Sequence, residues 1–140
     1  MSIKMRVLVA SNKAKMMTLA NSIKQEFELG PNAVDKIPPA YSCDKERIVI
    51  LAISTDDNPK ANIINFCKEL NKTRAANVAL LIDGSSGGAE KFKNILSEAG
   101  TNVIEPPFYT KCGLSFLKNV KPEENTALIE WVNEAVKNLK

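Results

Sequence analysis

Two stretches of this chain are apolar without a break: residues 48–53, Ile-Val-Ile-Leu-Ala-Ile, and residues 78–82, Val-Ala-Leu-Leu-Ile. A strand with one wet face alternates apolar and polar residues. An unbroken apolar run of strand length is buried on both faces, as in a parallel sheet covered by helices on each side. Residues 7–10, Val-Leu-Val-Ala, form a third such run.

Between these runs the period changes from two to about 3.6. Met16, Leu19, Ala20, Ile23 and Phe27 recur at helical steps, and Gly30-Pro31 stops them. Ile63, Phe66, Cys67 and Leu70 mark a second helix, with Asn58 placed to cap it and Pro59 at its first position. Ala89, Phe92, Ile95, Leu96 and Ala99 mark a third, closed by Gly100. Pro122 opens the last, with Glu123 and Glu124 in its positive first turn and Lys137 and Lys140 at its negative end. Its core face is Leu128, Trp131, Val132, Ala135 and Leu139. Short strands are expected at 33–37 and 102–104, and an irregular excursion at 106–120.

The order is βαβ-βα-βα-βα, with no internal repeat and no linker. Residues 1–140 therefore read as one α/β domain. The expected architecture is a three-layer sandwich around a five-stranded parallel sheet, order 2-1-3-4-5.

Composition removes several classes of function. The chain has no histidine, so the commonest general base, the His-dependent nucleophile systems and most transition-metal sites drop out. Cys43, Cys67 and Cys112 show no metal-ligand spacing, so no metal and no disulfide framework is expected. Cys67 belongs to a helix core face. Cys112 follows Lys111 in a loop and is expected to be a surface or partly buried thiol without special reactivity. The net charge of +3 comes from scattered lysines, which argues against nucleic acid as a partner. No segment resembles a secretory signal and no run is long enough to span a bilayer, so a cytoplasmic protein without membrane association is expected.

In a sheet of this order, ligands bind beyond the carboxyl ends of the strands where the strand order reverses. Three polar loops converge there. The candidate binding residues are Ser11, Asn12, Lys13 and Lys15 in the first, Ser54, Thr55 and Asp56 in the second, and Gly84, Ser85, Ser86, Gly87 and Gly88 in the third. Helix N-termini beside such loops can hold an anion, and glycines allow close backbone approach to a planar ligand. The same residues equally serve as ordinary caps and turns.

The Val-Leu-Val-Ala-Ser start with its helix, the apolar strand ending in Ser54-Thr55, the Gly-Gly-Ala-Glu opening of the third helix, the stretch around Gly100 and the Trp131 helix together resemble the flavodoxin family over most of the chain. The resemblance implies a flavodoxin-like fold, a bound FMN, electron transfer and a redox protein partner. In that reading Ser11, Asn12, Lys13 and Lys15 hold the phosphate, and the second and third loops hold the ribityl chain and ring. Three departures stand beside it. The family's phosphate loop, S/T-x-T-G-x-T, is here Ser-Asn-Lys-Ala-Lys-Met, with Ala14 for the glycine and Met16 for a hydroxyl. Neither ring loop carries an aromatic residue. Flavodoxins are acidic, whereas this chain is mildly basic. The alternative is a flavodoxin-fold binding or interaction domain that no longer binds flavin. A phosphoacceptor receiver domain is excluded, because Ser11-Asn12 stands where an acidic pair would hold magnesium. No cysteine follows the first strand, which excludes a cysteine phosphocarrier.

Overall fold

The computed structural model describes residues 3–37, 39–55 and 61–139. It contains β1 (Met5–Ala10), α1 (Ala14–Glu26), β2 (Val34–Lys36), β3 (Ile48–Ser54), α2 (Ala61–Glu69), β4 (Asn77–Asp83), α3 (Ser86–Ala99), β5 (Asn102–Val103), β6 (Phe108–Thr110) and α4 (Pro122–Lys137). The strands pair in parallel in the order β2-β1-β3-β4-β5. This is the expected three-layer, flavodoxin-like arrangement.

The unbroken apolar runs fill both faces of the sheet. On one face Val7, Val9, Ile50, Ala52 and Leu81 meet Met16, Leu19 and Ile23 of α1 and Leu128, Val132 and Ala135 of α4. On the other face Leu8, Leu51, Ile53, Leu80 and Ile82 meet Cys67 and Leu70 from the α2 region and Ala89, Phe92 and Leu96 of α3. Residues of β3 and β4 such as Leu51 and Leu80 are fully buried. Each contributes roughly 1.5–3 kcal/mol by leaving water. The parity of the strand decides which helix pair a residue touches, so the two cores share one sheet.

The excursion at 106–120 is less irregular than its sequence suggests. Pro106 and Pro107 have no amide proton, so they cannot donate to β4. Pairing therefore breaks after β5, which lies beside Asn77 and Val78, and resumes at β6, which lies beside Leu81, Ile82 and Asp83. The fifth strand is one edge built from two short pieces. Trp131 secures it: its ring lies 5.6 Å from that of Phe108 and its Nε1–H donates to the Pro106 carbonyl at 2.8 Å. Packing is thus the role of Trp131.

α3 starts three residues earlier than its apolar pattern indicates. Ser86, Gly87 and Gly88 form its first turn instead of a loop, with Ser85 as N-cap. First-turn amides need no partner inside the helix, so apolar periodicity does not report them. The expected cap of α2 at Asn58 and Pro59 lies outside the described residues, as does Lys140.

Candidate functional site

The carboxyl ends of β1, β3, β4 and β6 meet at one edge of the sheet, and a line of hydrogen bonds joins them. The Lys13 amide donates to Ser11 Oγ at 3.1 Å, and Ser11 Oγ lies 2.6 Å from Ser54 Oγ. Ser54 Oγ donates to Asp83 Oδ2 at 2.8 Å. A hydroxyl has one proton, so Ser11 is the donor to Ser54. The other Asp83 oxygen accepts the Cys112 amide at 3.1 Å. Asp83 is buried, and a buried carboxylate needs such partners.

This line anchors residues 111–117 over the N-terminus of α1. The Ala14 amide, which starts that helix, donates to the Ser115 carbonyl at 2.7 Å. Lys13 Nζ donates to the Gly113 carbonyl at 2.9 Å, and Lys15 Nζ to the Lys111 carbonyl at 3.0 Å. Lys15 also pairs with Glu124 at 2.8 Å, and Glu124 accepts the Thr110 hydroxyl at 2.6 Å. Burial pushes the Glu124 carboxyl up, but the hydrogen bonds from Lys15 and Thr110 outweigh it and hold it below its ordinary value.

The expected binding residues are thereby placed one by one. Ser11 and Ser54 meet within the hydrogen-bonded line. Ser11 does not cap α1 directly; Lys13 is its N-cap, without a side-chain capping bond. Asn12 is exposed. Lys13 and Lys15 reach backbone carbonyls of the 111–117 segment. Thr55 continues the sheet by donating its amide to Asp83 O at 2.9 Å, and its side chain covers Gly84 and Gly88. A Cβ on Gly88 would lie 2.5 Å from Thr55 Cβ, and one on Gly84 would lie 1.9 Å from Thr55 Oγ1. The third loop's glycines thus permit a close approach, but the group that approaches is Thr55. Ser85, Ser86 and Gly87 are exposed around the start of α3. Asp56 lies outside the described residues.

As arranged, these residues do not fit an FMN phosphate. The Ala14 amide and the Lys13 ammonium, which a phosphate at α1 would require, face peptide carbonyls of the same chain. Among the described residues no group of three or more Cys, Asp or Glu side chains is positioned to hold a metal ion. Cys112 is buried, more deeply than the surface or partly buried place expected of it. Burial, reinforced by the Asp83 charge, pushes its thiol up to about 12.

Two features of the site gave no signal in the sequence. The first is a groove of about 510 Å³ beside the 111–117 segment, walled by Gly84, Tyr109, Lys111, Asn119, Lys121 and Glu123. The second is the outer side of the segment itself. Leu114 is 61% exposed, Phe116 70%, Leu117 37% and Tyr109 42%. Among the described residues Tyr41 is the only other large apolar side chain so exposed. No helix among the described residues is long and apolar enough to cross a membrane. No protein family model matches the chain, and no characterised protein matches it in sequence.

Proposed function

We propose that this chain is a flavodoxin-fold binding domain that works without a flavin and contacts a macromolecular partner at the carboxyl edge of its sheet. The observation that supports this reading is the 2.7 Å bond from the Ala14 amide to the Ser115 carbonyl. With it, the chain's own backbone takes the place of a ligand anion at the start of α1, beside the strand-order reversal. Backbone carbonyls and a positive helix end attract each other for the same reason that phosphate binds there. The segment so held presents apolar side chains to solvent, which in a folded domain marks a contact surface.

The test is a visible spectrum of the purified protein followed by titration with FMN. The expected result is a colourless protein and no quenching of flavin fluorescence at micromolar FMN. A bound flavin, or quenching with saturation, overturns the reading. It would favour instead an FMN-dependent electron carrier with a redox protein partner, in which residues 111–117 leave α1 to admit the phosphate.

A further inference from the structure

The exposed apolar side chains at this edge are not scattered. Leu114, Phe116 and Leu117 lie in a stretch of eleven residues, 111–121, that contains Lys111, Lys118 and Lys121 and no acidic residue. All three lysines are exposed. The stretch adjoins the groove walled by Tyr109, Asn119 and Lys121. Projecting apolar anchors, exposed lysines on either side of them and a neighbouring concavity, whose wall also carries Glu123 and Glu124, are the parts of a protein-docking surface.

We infer that residues 109–121 dock an acidic protein surface. Leu114, Phe116 and Leu117 are buried against it, carboxylates of the partner face Lys111, Lys118 and Lys121, and a partner side chain enters the groove beside Tyr109. The inference rests on the flavin-free reading, because the surface exists only while the segment stays seated on α1.

Charge selects this occupant over two others. A second copy docking by two-fold symmetry would bring each lysine-rich stretch against itself, and like charges oppose that contact. A bilayer is flat on this scale and leaves the groove unfilled. An acidic protein fills the groove and neutralises the lysines. The seat is also pre-organised. Hydrogen bonds at Ala14, Lys13, Lys15 and Asp83 already hold the segment, so docking orders little new backbone.

The probe is a short synthetic helical peptide with a Leu/Trp stripe flanked by glutamates, titrated into the full ¹⁵N-labelled chain at low salt. Amide shifts are expected at residues 109–121 and in the first turn of α1. Affinity should fall with added salt, as exposed charge pairs are screened. Phe116→Ser should weaken binding by about tenfold or more, the loss typical of a central anchor. Its side chain is largely in water, so the fold should persist. The double change Lys118→Glu with Lys121→Glu should abolish both the binding and its salt dependence. Silence with the glutamate peptide overturns the inference. So does equal binding of a lysine-for-glutamate version, unaltered affinity in Phe116→Ser, sedimentation with phosphatidylserine vesicles, or a dimer that Phe116→Ser dissolves. Failure of the functional reading is seen separately, as flavin fluorescence quenched by the unmodified protein.

Discussion

Replacing Asp83 with alanine should loosen the whole carboxyl edge, and the size of the effect follows from what each partner loses. Asp83 accepts from Ser54 Oγ at 2.8 Å and from the Cys112 amide at 3.1 Å. Ser54 keeps Ser11 as an alternative acceptor, so its loss is the smaller one. Cys112 is buried, and its amide would have no replacement in place. An orphaned buried donor costs about 1–3 kcal/mol, and a lost bond to a charged acceptor adds about 1.5 kcal/mol. The expected destabilisation is therefore about 2.5–4.5 kcal/mol. With a urea slope of about 2 kcal/mol/M, the unfolding midpoint should fall by about 1–2 M. Asp83→Asn is the control. Its oxygen can still accept from Cys112 and its amide can donate to Ser54, so it should cost about 1 kcal/mol. Hydrogen exchange gives the local reading. The Ala14 and Cys112 amides should lose protection in Asp83→Ala before the amides of β3 do. A midpoint within about 0.2 M of the parent, with Ala14 protection unchanged, would refute the assignment of Asp83 as the anchor of residues 111–117.

Three further outcomes follow from the same site. Gly88→Ala should destabilise by about 1–3 kcal/mol despite alanine's better helix propensity, because its Cβ would meet Thr55 Cβ at 2.5 Å. Adding Thr55→Gly should recover most of that loss in a double-mutant cycle, and additive costs would exclude the contact. Glu124 is held below the ordinary glutamate value of 4.5 in the folded protein, so its contribution is present at neutral pH and lost as pH falls through its folded value. The stability gap between the parent and Glu124→Gln, measured by urea melts, should accordingly be open at pH 7 and close in acid below 4.5; a gap that widened in acid would reverse the sign. Cys67 and Cys112, both buried and both pushed up to about 12, should resist a thiol reagent at pH 8 in the native protein and react on unfolding in urea. Native labelling of Cys112 at the rate of a free thiol would contradict its burial beside Asp83.

Some of this protein is legible residue by residue. The run at 48–53 could only be a strand covered on both faces, and it is the centre of the sheet. Met16, Leu19 and Ile23 set the face of α1 through helical spacing alone, and Leu128, Val132 and Ala135 do the same for α4. These patterns carry the element order, and the element order carries the strand order, because parallel connections leave few alternatives. The strand order in turn locates the edge where Ser11 and Ser54 meet. Apolar burial is written locally, since one face of one element records it.

What Lys13, Ala14 and Lys15 contact is not written there. Their partners at 111–115 lie about a hundred residues away, and most of them are backbone carbonyls. Every residue has a carbonyl, so sequence carries no mark of which one will face a helix end. The strand at Phe108–Thr110 was hidden for a different reason, because Pro106 and Pro107 interrupt the strand pattern before it. Asp83 ends β4, and only the closed sheet brings Ser54 and Cys112 to its two oxygens. The sequence by itself determined the layers and the edge at which a site must lie. Tertiary structure alone decided that this edge is occupied by the chain's own backbone, because hydrogen bonds to carbonyls depend on where the chain returns, not on which residues it returns with.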